Sequence, residues 1–405
     1  MRITTEGDVL TIELVSRINS GNVGEVEAEI MAALDAADVS RVVFDASNLV
    51  YISSAGLRVI MKVLKRVGNV TLMEASPEVY NVFEMTGLTQ MMDVRRAMRT
   101  VSVDGLPMIG AGANGKVYRL DEERIIKTYN PISNPPEKIM REKQTARQAF
   151  IAGVPSALSF DVVRVGDGYG IVYEMIDSLT LGEVIARNPD RLEEYATRMA
   201  NLLKQLHATE FAPGTLPDAR ESLHTWVDIA ERSGYYAADV IDAAHKLVDS
   251  IPPRNTFVHG DFHPGNIMVT SDDEFLLIDM GDASQGDPLI DMLASYQIMR
   301  VIADHPGGAE RYMGLSSEQS IRVWDTFVRT YYGTSDPAQL EAIERRVRFY
   351  MILRSMPGVT FSEVIAQDKR KSYADFLSKV LLEGMAHRGQ GMPDAAPPVD
   401  AAPRM

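Results

Sequence analysis

Three oxygen-bearing side chains, Asp261, Asn266 and Asp279, are spaced to surround one transferable phosphoryl group. The first two lie in His259-Gly-Asp261-Phe-His-Pro-Gly-Asn266, and the third follows in Leu276-Leu-Ile-Asp279-Met-Gly281. Phosphoryl transfer through a loose transition state mainly requires positioning, a metal to neutralise charge and a carboxylate to orient the attacking hydroxyl. Asp261 has the chemistry of that carboxylate. Asn266, returning on the same side of a short loop, offers an amide oxygen to a magnesium ion, and Asp279 supplies a hard anionic ligand. A single aspartate in a loop is more often an Asx-turn or a helix cap, so the reading needs further parts. His259 and His263 stand at zinc-like i, i+4 spacing, but Pro264 and Gly265 break any helix that would align them, and no third ligand is evident.

The elements that must position these groups are legible. Thr256-Phe-Val and Ile267-Met-Val-Thr read as short strands bracketing the loop, and Phe275-Leu-Leu-Ile as a third strand delivering Asp279. Upstream, Gly110-Ala-Gly112-Ala-Asn-Gly115-Lys-Val117-Tyr spaces its glycines so that a hairpin backbone can approach nucleotide phosphates without obstruction by Cβ atoms. Val117-Tyr-Arg-Leu, a turn at Asp121-Glu-Glu, and Arg124-Ile-Ile-Lys127 read as strand, turn, strand, with Lys127 reaching the phosphates. A dinucleotide-binding fold would need a helix directly after the glycines. The amphipathic segment from Glu137 to Phe150 carries Ile139, Ala146 and Phe150 on one face and places Glu142 where it can pair with Lys127, with Glu137 as the competitor.

With these motifs in kinase order, residues from about 107 to 385 resemble the aminoglycoside phosphotransferase and choline kinase group of kinase-like folds. The stretch His259-Gly-Asp261-Phe-His-Pro-Gly-Asn266-Ile is similar to that group's catalytic loop, and the Gly after His259 departs from ordinary eukaryotic protein kinases. The resemblance implies an α+β, two-lobed, protein-kinase-like domain in which Asp261 is the base, Asn266 and Asp279 bind Mg2+, and Lys127 with Glu142 fixes ATP. The glycine loop, through Gly110, Gly112, Gly115 and Val117, would cover the nucleotide. Gly170-Ile-Val-Tyr-Glu174-Met-Ile176 would be the strand and hinge that offer backbone groups to adenine, though a buried strand ending in a turn reads equally well.

The first hundred residues alternate strand and helix: Val9 to Val15, a helix with Val23, Val26, Ile30 and Leu34, the strand Arg41 to Asp45, a helix with Leu57, Ile60, Met61 and Leu64, the strand Val70-Thr-Leu-Met, and a helix capped by Ser76 with Pro77 at its first position. This is a small α/β domain. Phe44-Asp-Ala-Ser47 with Val50-Tyr-Ile-Ser53-Ser54-Ala-Gly56-Leu57-Arg, and the later Ala75-Ser-Pro77-Glu-Val-Tyr-Asn-Val-Phe83-Glu-Met-Thr-Gly87-Leu, resemble the STAS domain of anti-sigma factor antagonists. The resemblance implies Ser54 as a phosphate acceptor and an anti-sigma factor or serine kinase as partner. A serine at a helix N-terminus can host phosphate because free N–H groups and the helix dipole favour negative charge there. Ser53 or Ser54 can equally serve as the helix cap.

Composition sets the outer limits. The 405 residues carry a formal net charge of −15, which argues against broad nucleic-acid binding, and no cysteine, which removes disulfides and thiol catalysis. The start lacks the apolar core of a signal peptide and no run is long enough for a membrane span, so a cytoplasmic location is expected. The organisation expected is a STAS-like domain over 1–100, a turn-rich joint over 101–107, a kinase-like domain over 108–385, and a disordered tail over 386–405. The function expected is ATP-dependent phosphorylation of a small hydroxyl-bearing molecule, regulated by the STAS-like module. The alternative is a partner-switching signalling protein whose kinase-like domain phosphorylates a protein serine or senses nucleotide.

Overall fold

In a computed structural model, which describes residues 1–112, 115–131, 134–361 and 366–387, the chain forms two compact units, Met1–Ser102 and Val103–Met405. Among the described residues, no helix is long and apolar enough to cross a membrane.

The first unit is built on a five-stranded sheet in the order Arg2–Glu6, Val9–Glu13, Arg41–Asp45, Val70–Ala75, Asp93–Arg96. The first pair is an antiparallel hairpin, and every later pairing is parallel because a helix returns the chain between strands. Period-two alternation buries Leu10 and Ile12 on one strand and Val42 and Phe44 on the next. Helix Val23–Ala36 buries Val26, Ile30 and Leu34 at a spacing of four, and helix Ser54–Val67 buries Leu57, Ile60 and Leu64. The second helix ends at Gly68, whose φ of 80° lets its N–H reach back to the Leu64 carbonyl. Near its start, a Cβ on Gly56 would stand 2.7 Å from Ile18 Cγ2 and 2.8 Å from Ile52 Cγ1, so the helix lies against the strand ends at a distance only glycine allows.

The second unit begins with an antiparallel sheet in the order Ser159–Val165, Gly168–Glu174, Arg124–Tyr129, Gly115–Arg119, Met108–Gly112. Helix Pro136–Ile151 packs beside the strands Ser159–Val165 and Gly168–Glu174. Its buried face is Ile139, Glu142, Thr145, Ala146 and Ala149, whereas Phe150 is half exposed. The buried face is thus turned from the expected Ile139, Ala146, Phe150 line toward Glu142 and Thr145, so that Ala149, seven residues after Glu142, falls within it and Phe150 lies at its exposed edge. The remainder is helical, with Leu192–His207 packed on Ser317–Tyr332, and Ala219–Arg232 on both Ala238–Asp249 and Ile352–Phe361. Two short antiparallel pairs, Ile267–Val269 with Phe275–Leu277 and Phe257–Val258 with Ser284–Gln285, flank the 259–266 loop in sequence. The final helix, Arg370–His387, runs two residues past the boundary expected at 385, and the rest of the expected tail lies outside the described residues.

Gly56→Val would force two methyl groups into that contact and should destabilise the first unit by about 2 kcal/mol. Both tryptophans, Trp226 and Trp324, belong to the second unit, so far-ultraviolet dichroism during urea unfolding should show an earlier transition while tryptophan fluorescence is unmoved. Coincident wild-type behaviour in both signals would contradict the packing.

Candidate active site

The loop carrying Asp261 is shaped by a carboxylate below it. Asp291 is fully buried in helix Leu289–Tyr296 and accepts hydrogen bonds from the backbone N–H of His259 at 3.0 Å and of Gly260 at 2.6 Å. His207 Nε2 also meets it at 3.0 Å, and the other nitrogen of that ring meets the Tyr331 hydroxyl at 2.6 Å. Gly260 has φ of 82°, and a Cβ there would stand 2.5 Å from the Asp282 carbonyl. The glycine that sets this loop apart from eukaryotic protein kinases is therefore required by both backbone conformation and space. Four residues before Asp291, Asp287 accepts from Arg254 at 3.0 Å and from the Leu289 amide at 2.9 Å.

Both histidines of the loop are occupied. His259 donates from Nε2 to the Ile278 carbonyl at 3.1 Å and accepts at Nδ1 from the Asp261 amide at 3.3 Å, which sets the ring's orientation and ties the loop to the strand before Asp279. His263 accepts at Nδ1 from the Gly265 amide at 3.1 Å and turns Nε2 toward Asp261 Oδ2 at 3.5 Å. Asn266 donates its amide to the Asp261 carbonyl at 2.9 Å and to Asp261 Oδ2 at 3.0 Å, so its Oδ1 faces away from Asp261. The Asn266 carbonyl in turn accepts from Ile278 N–H at 3.0 Å. Asp279 follows with φ of 61°, a left-handed conformation that aspartate tolerates better than most residues.

Lys127 connects this arrangement to the sheet. Its Nζ lies 2.7 Å from Asp279 Oδ1 and 3.1 Å from Glu142 Oε1. The buried Glu142 oxygen also accepts from Tyr129 at 2.6 Å and Tyr173 at 3.1 Å. Tyr129 is two residues beyond Lys127 on one strand, hence on the same face, as period two requires; Tyr173 arrives on the next strand opposite Ile125. Glu142, not Glu137, takes the lysine, because it points inward from the buried face of its helix.

The electrostatics follow from these contacts. Burial alone would lower the Lys127 pKa, but the charges of Asp279 and Glu142 outweigh it and hold the ammonium above its ordinary value. Burial raises both tyrosines, with the Glu142 charge adding to it, so each remains a protonated donor. For Asp261 burial pulls upward, yet the hydrogen bond from His263 and the charge of Arg354 prevail, holding this carboxyl well below the usual range. Asp261 is thus a carboxylate throughout the physiological range, suited to orienting a hydroxyl.

Gly115 is held by contact, since a Cβ there would lie 1.7 Å from the Thr128 carbonyl. Gly110 and Gly112 face no such crowding, and the turn between Gly112 and Gly115 lies outside the described residues. Val117 pairs directly across from Lys127 and shares its face. At the far end of the sheet, Glu174 accepts at Oε1 from the Leu158 amide at 2.6 Å, Met175 N–H goes to the Glu123 carbonyl at 2.7 Å, and the Ile176 N–H has no partner among the described residues.

Arg354 carries no signal in the sequence. Its position places it far from the loop, and only packing of helix Ile352–Phe361 on Ala219–Arg232 brings its guanidinium to the Gly260 carbonyl at 2.9 Å and within 3.7 Å of Asp261 Oδ1.

In the first unit, Ser53 is the helix N-cap: its Oγ accepts from Gly56 N–H at 3.3 Å. Ser54 is the first helical residue, exposed, with its hydroxyl unpartnered among the described residues. The capping role thus falls on Ser53 and leaves Ser54 free.

The phosphotransferase enzyme family matches residues 106–325, and the STAS domain matches residues 1–101. Over 81 residues, 19% of this chain and 69% of the relative, the chain is 42% identical to the putative anti-sigma factor antagonist BtrV of Bordetella bronchiseptica. Among solved structures, ADP-bound aminoglycoside phosphotransferase APH(2'')-Ib is 15% identical with a TM-score of 0.45, covering 68% of this chain and 93% of that one. Aminoglycoside phosphotransferase APH(3'')-Id from Streptomyces rimosus is 18% identical with a TM-score of 0.42, covering 62% and 93%. The unphosphorylated anti-sigma factor antagonist SpoIIAA is 19% identical over 23% of this chain and 85% of its own, with a TM-score of 0.22.

Asp291→Ala would leave the His259 and Gly260 amides and the His207 ring without their acceptor. Urea unfolding followed by tryptophan fluorescence should then lose about 3 kcal/mol or more, from several buried donors at about 1–3 each. A loss below about 1 kcal/mol would mean the loop does not depend on this carboxylate.

Proposed function

Because the chain belongs to the phosphotransferase enzyme family and opens with a STAS domain, we propose that it is an ATP-dependent kinase that phosphorylates a hydroxyl on a small molecule, with the STAS domain as its partner-binding regulatory module. The observation that carries this reading is the convergence of Lys127, Asp279, Asn266 and Asp261 from distant parts of the chain onto one site. Asn266 Oδ1 and the Asp279 carboxylate are hard oxygen donors, the type Mg2+ takes, and they would hold it there. Bound there, Mg2+ supplies charge neutralisation for the transferring phosphate. Lys127, kept charged and aimed by Glu142, binds phosphate oxygens, and the Gly110, Gly112, Gly115 and Val117 hairpin covers them. The Ile176 amide, unpartnered among the described residues and two residues beyond Glu174, is a donor suited to an adenine ring nitrogen.

Asp261 receives the acceptor hydroxyl and aligns its oxygen with the γ-phosphorus. The new P–O bond forms as the bond to the β-phosphate oxygen breaks, that electron pair leaves with ADP, and the hydroxyl proton passes to Asp261. A carboxylate this acidic is a weak base in the ground state, so its main contribution is orientation, with proton transfer late, when the oxygen has become acidic through bond formation.

The free Ser54 hydroxyl supports phosphorylation there as the regulatory event, since added charge of about −1.5 to −2 would alter a docking surface without removing the Ser53 cap. We assign that phosphate to a separate serine kinase, because a small-molecule kinase encloses its acceptor too tightly for a folded helix terminus.

Three measurements test this reading. Calorimetry should detect Mg-ATP binding that disappears with EDTA or in Asp279→Ala, and silence at millimolar nucleotide would end the kinase assignment. Asp261→Asn should keep nucleotide affinity while transfer falls by roughly 10² to 10⁴; equal loss of both would make Asp261 a structural cap. Mass-spectrometric mapping after incubation with ATP should find Ser54 unmodified by the purified chain, whereas modification in wild type but not in Asp261→Asn would favour the alternative, a kinase acting on a protein serine.

A further inference from the structure

The environment of Asp261 differs on its two sides. Oδ2 is taken by the Asn266 amide at 3.0 Å and faced by His263 at 3.5 Å. Among the described residues Oδ1 accepts no hydrogen bond, and Arg354 Nη2 stands 3.7 Å from it, a separation too long for one. That oxygen is therefore the one able to accept from an incoming hydroxyl, and whatever carries the hydroxyl arrives beside a guanidinium.

The guanidinium is held in place. Nε donates to Gln297 Oε1 at 2.8 Å, Nη1 donates to the Gly260 carbonyl at 2.9 Å, and the group lies over the Trp226 ring, 4.7 Å from its centroid. Its side chain is 11% exposed, so it cannot swing into solvent to avoid a ligand. Arginine carries five N–H donors in a rigid fork, and two are spent on these bonds. Among the described residues Nη2 makes no hydrogen bond, and it is the nitrogen 3.7 Å from Asp261 Oδ1, on a planar group whose geometry matches carboxylate or phosphate oxygens. Other charges at the site do not reverse this bias. Asp279 is paired with Lys127, and burial raises the pKa of Asp282 above its ordinary value, against the charge of Arg354.

Resting on the kinase reading above, we propose that Arg354 forms part of the acceptor subsite and that the acceptor carries a carboxylate or phosphate near its reactive hydroxyl, rather than ammonium groups. The overall net charge of −15 points the other way, toward cationic acceptors. It is spread over the whole surface, however, and falls off within a Debye length, whereas Arg354 is fixed next to the reacting oxygen. Within the transfer step Arg354 supplies hydrogen bonds and charge only: the P–O bond forms and breaks, and the proton moves, as described for Asp261.

The test is ADP release by wild type and by Arg354→Gln, with Mg-ATP and acceptors of three charge classes: gluconate, glycerate and glucose 6-phosphate; glucose and glycerol; kanamycin and choline. In wild type the anionic class should raise ADP release above the rate with water as acceptor, and the cationic class should not. Arg354→Gln should lose roughly 10- to 100-fold in kcat/KM for the anionic acceptors, the range for hydrogen bonds to a charged partner. Arg354→Lys, which keeps charge and loses the fork, should fall between. Stimulation by kanamycin or choline exceeding that by the anionic compounds overturns the proposal, and the wild-type panel alone decides this even if Arg354→Gln fails to fold. An unchanged anionic kcat/KM in a folded Arg354→Gln overturns it as well. Loss of all nucleotide binding and turnover in wild type is a separate result, which removes the kinase reading itself.

Discussion

A buried carboxylate with fixed donors around it constrains this site more than any other interaction. Asp291 has no exposure to water, and its burial is offset by two backbone amides and an imidazole nitrogen that meet its oxygens. Those two amides belong to His259 and Gly260, and holding them leaves the loop one way to turn. Gly260 then adopts a left-handed conformation against Asp282, and Asp261 follows with its side chain projecting toward Asn266 and Arg354. His259 carries the constraint onward to the Ile278 carbonyl, one residue before Asp279. The Asp261 and Asp279 ends of the site thus share one anchor.

Glu142 plays the equivalent part on the sheet side. One of its oxygens gathers Lys127, Tyr129 and Tyr173, which are contributed by two strands, while the glutamate comes from the helix between them. Both tyrosines stay protonated, so neither competes with the lysine as an anion. The lysine reaches from this cluster to Asp279, 152 residues away in sequence, and its position is set by packing rather than by a flexible surface pairing. Exposed pairs such as Lys371 with Asp375 contribute little by comparison, since water screens them.

The local parts of this arrangement are legible in the sequence because each depends on near neighbours. The loop from His259 to Asn266 and the strand before Asp279 are short, and their residue types leave few conformations. Pairing of Lys127 with Glu142 spans 15 residues and follows from strand and helix periodicity. Ser76 and Pro77 mark a helix start wherever they stand together before an apolar pattern, and the helix begins there. Ser53 and Ser54 are harder, because either hydroxyl satisfies the composition of a cap; backbone geometry separates them, leaving Ser53 outside the helix with an extended conformation and Ser54 as its first residue. Arg354 lies beyond such reasoning. It is 94 residues from the Gly260 carbonyl it binds, and nothing in its own segment distinguishes it from the arginines on neighbouring helices.

The most direct test of the account is a crystal structure with Mg2+ and a non-hydrolysable ATP analogue. Lys127 should keep Glu142 and exchange Asp279 for phosphate oxygens, while Asn266 Oδ1 and the Asp279 carboxylate share the metal and the terminal phosphate faces Asp261. Nucleotide bound elsewhere, or an Asp279 still paired to Lys127 with no metal beside it, would contradict the central claim that these residues form one phosphoryl-transfer site.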